Sequence, residues 1–209
     1  MLPLLLNKII QTDKLLFLHL VTQKNRIYTF LNPVSYLIAL ENKSLFEQFD
    51  GIFADGSLLV SAIRLVYGKR VTRRSFDMTS LAPELLNYLM ESRKTLYIVA
   101  SGQEQVECSV RIFQEQYPEL RIAGFRNGYF SSDAEMNKEA SHIVELNPDF
   151  LIVGMGALMQ EKFLLKVKKM GYQGIGFTCG GFVHQTAMNR MHYYPCLLYT
   201  SDAADDRIS

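Results

Sequence analysis

The chain has 209 residues, 48% of them hydrophobic, enough apolar material for one sizeable core in a single domain. Its 22 Lys and Arg balance 21 Asp and Glu, which excludes the overall basic field of a nucleic-acid binder and favours small or local ligands. The opening MLPLLLNKII is interrupted by Pro3, Asn7 and Lys8, well short of the roughly 18 residues that span a bilayer. It also lacks the basic start and small-residue cleavage site of a signal peptide.

In chain order, strand-length apolar runs at Arg26–Leu31, Gly51–Ala54, Thr95–Ala100, Arg121–Gly124, Asp149–Val153 and Gly174–Thr178 alternate with helix-period segments. Val106, Val110, Phe113 and Tyr117 fall on one face of a helix after the third run, and Met136, Ala140 and Ile143 on another after the fourth. Ser132 and Asp133 suit the start of that second helix, and Asn147-Pro148 its end. The alternation predicts an α/β fold: an open, mostly parallel Rossmann-like sheet of about six strands with helices on both faces. Residues 1–195 read as one domain. From Cys196 the chain reads CLLYTSDAADDRIS, and Cys196 to Asp206 resembles a translated sequencing adapter. Residues 196–209 are therefore expected to be foreign to the fold.

In such sheets ligands sit beyond the carboxyl ends of the strands, where helix N-termini and tight turns expose backbone N–H groups. Here those ends carry Asn32-Pro33, Asp55-Gly56, Ser101-Gly102, Gly124 with Asn127-Gly128-Tyr129, Gly154-Met155-Gly156 and Cys179-Gly180-Gly181. Each glycine alone is an ordinary turn residue. Together they outline a rim suited to phosphate. Several chemistries drop out. Gly154-x-Gly156 is followed by Met159 where a dinucleotide fingerprint needs its third glycine. No phosphate-binding G-x-x-x-x-G-K-[ST] loop occurs, and Ser101-Gly102 lacks the glycine pattern of a nucleophile elbow. None of His19, His142, His184 and His192 is an evident triad base. Cys108, Cys179 and Cys196 make neither a disulfide framework nor a metal-ligand pair, which fits a reducing cytoplasm.

The words at the strand ends are more specific than their pattern. Ala54-Asp55-Gly56, Gly128-Tyr129-Phe130, Gly154-Met155-Gly156-Ala157 followed by Gln160-Glu161, Gly180-Gly181-Phe182, and Asn189-Arg190 through Pro195 resemble, in order, elements of the TagA/WecG/CpsF-type bacterial glycosyltransferases. The likeness covers Asn32 to Pro195. It implies an inverting transfer from a UDP-sugar, often UDP-N-acetylmannosamine, to an undecaprenyl-diphosphate-linked sugar in cell-surface polysaccharide or teichoic acid synthesis. It further implies an enzyme without metal or other cofactor, cytoplasmic and peripheral at the inner face of the membrane when full length.

Carried onto this chain, the resemblance makes Asp55 the base that takes the acceptor proton, as inversion requires. An Asp-Gly pair also serves as a helix cap or an Asx-turn. Asn32, Tyr129, Gly154, Gly156, Gln160 and Gly181 would surround the donor. One of Arg70, Arg73 and Arg74, with Arg73 preferred, would clamp its diphosphate near Asp77, unless the three form a solvated basic loop. Departures are also visible. Leu158-Met159 replaces the family's Pro-Lys, His184 stands where an aspartate is usual for contact with base or ribose, Met191-His192 replaces Ala-Pro, and Thr29 lies three residues before Asn32 rather than two. Two rival readings are a nucleotide-sugar-binding domain without turnover and a Rossmann-like oxidoreductase with a degenerate glycine turn.

Overall fold

In a computed structural model, residues 22–189 are described together with residues 8, 9 and 20. The proposed foreign tail and the Arg190–Pro195 element lie outside them. Six strands carry the fold: β1 (Arg26–Leu31), β2 (Gly51–Ala54), β3 (Thr95–Ala100), β4 (Arg121–Arg126), β5 (Phe150–Gly154) and β6 (Ile175–Thr178). The helices between and after them are α1 (Pro33–Glu41), α2 (Lys43–Phe46), α3 (Ser57–Tyr67), α4 (Leu81–Glu91), α5 (Gln103–Gln116), α6 (Asp133–Leu146), α7 (Met159–Lys169) and α8 (Phe182–Asn189). The strands form one sheet in the order β2-β1-β6-β5-β3-β4, every pairing parallel.

The six strands fall where the apolar runs predict, with shifts at four boundaries, among them the end of β5 at Gly154 rather than Val153. β5 starts at Phe150 and β6 at Ile175, one residue later than expected. β4 runs on to Arg126 because Val99 still pairs with it there. Gly124, read as the end of that strand, is inside it. A Cβ at Gly124 would come within 2.5 Å of the Tyr97 ring, so the glycine admits a neighbouring side chain rather than making a turn.

Strand alternation sorts the core into two faces. Tyr28, Phe53, Ile98, Ile152 and Phe177 pack with Leu85, Val106, Phe113 and Phe182 from α4, α5 and α8. Ile27, Val99, Leu151 and Val153 pack with Met136, Ile143, Phe163 and Leu164 from α6 and α7. The β1–β2 edge is closed by α1, α2 and α3 through Ala39, Phe46, Leu59 and Ile63. Strands buried on both faces explain the continuous apolar runs. α6 is capped as expected: Ser132 Oγ accepts from Glu135 N, and Asn147 ends the helix in the left-handed conformation.

Two aspartates pin the amino ends of the strands. Asp50 accepts from Ile27 N at 2.8 Å, Arg26 Nη1 at 2.7 Å and Lys168 Nζ at 2.6 Å, joining β1, β2 and the end of α7. Asp149 accepts from Thr95 N and Lys94 Nζ, both at 3.0 Å, which aligns β3 with β5. Burial raises the proton affinity of Asp50, but its hydrogen bonds to Lys168, Ile27 and Arg26 outweigh this and leave its pKa below the ordinary aspartate value. A depressed folded pKa means stability that is present above the unfolded value and lost as pH falls through the folded one. Asp50→Asn is accordingly expected to cost about 1–3 kcal/mol in urea unfolding at neutral pH. The gap from the parent should close once the pH is well below about 4.

Candidate active site

The sheet order reverses direction in two places. From β3 the chain moves outward to β4 and from β5 inward to β6; from β1 it moves outward to β2 while β6 lies on its other side. Such switch points open crevices at the carboxyl edge. There Leu31 pairs with Ala54, so Asn32 and Asp55 emerge from adjacent strand ends. Asn32 caps α1: its Oδ1 accepts from Ser35 N at 2.8 Å and Ser35 Oγ at 3.0 Å. Pro33 follows in the first turn, where its missing N–H costs nothing. The cap uses the side-chain oxygen of Asn32 and not its Nδ2.

Asp55 does not cap the helix that follows it. α3 starts from Gly56, at φ +85°, with no side-chain cap. The carboxylate instead faces a basic segment returning along β2, held there by Arg74 N donating to Ala54 O at 3.0 Å. Arg73 Nη2 lies 3.9 Å from Asp55 Oδ1 and 3.5 Å from Asp77 Oδ2, and donates to Ser75 Oγ at 3.0 Å. Asp77 is fixed by Ser75 Oγ and by Thr79, whose N and Oγ1 donate at 2.8 and 2.6 Å. Of the three candidate arginines, then, Arg73 reaches Asp55. Arg74 is buried against Glu84 at 3.0 Å and Arg70 is exposed. Burial pushes the Asp55 carboxyl up to about 6, with Arg73 pulling it down and Asp77 pushing it further up. A carboxylate so tuned is ionised at neutral pH yet holds a proton more strongly than an ordinary aspartate, which suits a general base.

A second cluster ties β1 and β6 to the start of α7. Thr29 Oγ1 donates to Glu161 Oε1 at 2.9 Å and lies 2.8 Å from Thr178 Oγ1. Gln160 Nε2 donates to the same Glu161 oxygen at 2.9 Å, and Gln160 Oε1 accepts from Gly180 N at 3.1 Å. Glu161 Oε2 accepts from Leu158 N at 2.8 Å. Glu161 is 1% exposed, and burial raises its pKa despite these donors. The positive end of α7 is therefore met by the chain's own carboxylate, and the Gly180 amide by Gln160. Gly154 lets the turns close on each other, since a Cβ there would lie 2.5 Å from Gly180 O. Gly156 turns at φ +79°. Sequence reasoning gave Glu161 and Thr178 no role. The available signal was a threonine on the inward face of β1, between Ile27 and Leu31.

A third group lies over β3, β4 and β5. Gly128 N donates to Ser101 O at 2.8 Å, and a Cβ on Gly128 would meet Met155 Cγ at 2.9 Å. Arg126 organises the loop by donating to Asn127 O and Tyr129 O, both at 2.9 Å, and by stacking on Phe130. Tyr129 is left projecting, 75% exposed. Gly181 and His184 are exposed at the start of α8.

The description "Glycosyl transferase WecG/TagA/CpsF family" belongs to the family model that matches residues 11–191. The chain belongs to this glycosyltransferase family. A Shigella boydii protein, UDP-Gal:alpha-D-GlcNAc-diphosphoundecaprenol beta-1,4-galactosyltransferase, is 33% identical over 81% of the chain and 70% of its own length. N-acetylglucosaminyldiphosphoundecaprenol N-acetyl-beta-D-mannosaminyltransferases of Bacillus subtilis and Bacillus spizizenii are 24% and 23% identical over 78% of the chain, which spans 63% of their length.

Within the WecG/TagA/CpsF pattern, the departure at Leu158 has a structural counterpart. Its φ is +70°, which the pyrrolidine ring of a proline cannot adopt. The turn into α7 is thus shaped differently from one with proline in that place. Thr29 belongs to the buried Glu161 network, not to the rim. Thr29→Val keeps its shape but leaves Glu161 and Thr178 each short of a hydroxyl partner. It should lower stability by about 1–3 kcal/mol, read as a fall in melting temperature of roughly 2–4 °C per kcal/mol for a domain of this size.

Proposed function

We propose that this chain is the sugar-transferring part of an inverting glycosyltransferase that moves a hexosyl group from a UDP-sugar to a sugar carried on undecaprenyl diphosphate. The observation that carries the reading is the Asp55–Arg73–Asp77 group at the ends of β1 and β2: a proton-accepting carboxylate beside a fixed guanidinium, next to a helix that starts without a side-chain cap. The names of the relatives support the acceptor class and, for the Shigella protein, a UDP-linked donor. Its higher identity favours galactose over N-acetylmannosamine as the first donor to test.

In the proposed step the acceptor hydroxyl oxygen attacks the anomeric carbon as its proton passes to Asp55. The bond from that carbon to the β-phosphate oxygen breaks, and the electron pair leaves with UDP. Arg73 and the first-turn amides of α3 offset the charge that develops on the diphosphate. Asp77, Ser75 and Thr79 keep Arg73 in place. A diphosphate drawn to Arg73 also weakens that arginine's hold on Asp55, so donor binding raises the basicity of Asp55 before transfer. Asn32 Nδ2 and the projecting Tyr129 contribute to the donor pocket, with Gln160, Gly154, Gly156, Gly181 and His184 along its far wall.

Asp55→Asn in the full-length protein is expected to lower kcat by about 10²–10⁴-fold while KM for the UDP-sugar and the melting temperature barely move. Near-normal transfer would end the assignment of Asp55 as base. The pH dependence follows from the same group: a base must be unprotonated, so kcat/KM should be level above neutrality and fall about tenfold per pH unit below a midpoint near 6. A profile flat down to pH 5 would mean that another group accepts the proton.

A further inference from the structure

α3 leads directly away from Asp55, and its outward side is unusual. Leu59 and Ile63 bury one side of the helix, whereas Leu58, Leu65 and Val66 stand 64%, 87% and 64% exposed on the other. On α1, Val34 and Leu37 are also largely exposed, with the exposed Glu41 on the same helix face. The two helices begin at neighbouring strand ends, with Gly56 facing the Pro33 ring. Scattered exposed leucines are ordinary. Leu58, Leu65 and Val66 together on the helix that leads from Asp55 mark a surface that something covers.

Charge identifies what covers it. Between Asp55 and Asp77 the chain has Arg64, Lys69, Arg70, Arg73 and Arg74 and no acidic residue. Arg73 and Arg74 are committed to Asp55, Asp77 and Glu84, while Arg64, next to Leu65 in the helix, and Arg70, just after its end, are exposed. The apolar stripe of α3, with Arg64, Lys69 and Arg70 and no acidic residue from Gly56 to Phe76, has the pattern of a helix lying in the interface of an anionic bilayer. A second copy of the chain fits less well, because a two-fold contact through α3 would gather Arg64 and Arg70 of both copies in one interface with no acidic residue of α3 to meet them.

We propose that the outer face of α3 docks on an anionic phospholipid surface and sets the Asp55 crevice at headgroup height. This rests on the reading of the acceptor as lipid-linked, since such an acceptor keeps its diphosphate at the bilayer surface and its chain below it. No helix among the described residues is long and apolar enough to cross a membrane, so the contact is one of a surface-lying face.

The test is co-sedimentation of the full-length protein with phosphatidylglycerol vesicles and with phosphatidylcholine vesicles. The parent should bind the former much more tightly and release as salt rises. Leu65→Glu/Val66→Glu should weaken that binding by about tenfold or more, with an unchanged melting temperature because both side chains are exposed. The milder Leu65→Gln should give a smaller loss in the same direction. Transfer to a water-soluble, short-chain acceptor should be the same in parent and variant, and transfer to vesicle-borne acceptor should drop. Equal vesicle binding by parent and double variant, or no preference for phosphatidylglycerol, overturns the proposal. So does a parent dimer that the double variant turns into monomer, which would make the face a self-interface. Absence of soluble transfer in the parent would refute the transferase reading alone, since vesicle binding decides the docking face independently.

Discussion

The carboxylate of Glu161 is the constraint around which the carboxyl edge of the sheet is organised. One of its oxygens receives Thr29 from β1 and Gln160 from α7, the other receives the Leu158 amide at the entrance to α7. Through Thr29 the contact reaches Thr178 on β6, and through Gln160 it reaches the Gly180 amide before α8. A buried carboxylate is tolerable only when its lone pairs are satisfied and a favourable dipole is near. The donors and the N-terminus of α7 supply both. Two strands, β1 and β6, and the turns that lead into α7 and α8 are thereby held together. Removal of any donor leaves the rest partly unsatisfied in a dry environment, where an unmet polar group is most costly.

That arrangement separates the rim into two parts. On the β5–β6 side, helix polarity and backbone amides are consumed internally by Glu161 and Gln160, so this side supports the crevice more than it offers free charge. On the β1–β2 side, α3 begins uncapped, and Asp55, Arg73 and Asp77 remain partly accessible. Desolvation and Asp77 raise the proton affinity of Asp55, and Arg73 opposes them. The balance is sensitive to any anion that engages Arg73. An anion bound at Arg73 would thus be coupled to the proton affinity of Asp55 through one guanidinium.

The same edge carries the outward stripe of α3. Leu59 and Ile63 serve the core while Leu58, Leu65 and Val66 stand largely exposed. An apolar residue left on the outside of a helix has no folding role. Its position on the helix that issues from Asp55 links the chemistry of the crevice to the surface from which a lipid-borne acceptor would be presented.

The amino-acid order by itself determined the strands, the parallel α/β class and the words at the strand ends. These depend on local alternation, on helix stop signals such as Asn147-Pro148, and on turn residues, all of which are written within a few positions of one another. It also carried the family likeness at Asp55, Tyr129, Gly154 and Gln160. It could not rank Arg70, Arg73 and Arg74, which are equivalent as sequence; the tertiary fold turned Arg74 onto Glu84, left Arg70 outside and brought Arg73 to Asp55. Nor could it show that Gly124 makes room for Tyr97 or that Thr29 serves Glu161, 132 residues away. The strand order was likewise decided only in three dimensions. Parallel pairing and buried polar networks join residues far apart in the chain, and which partner satisfies a buried group depends on what the completed fold places beside it.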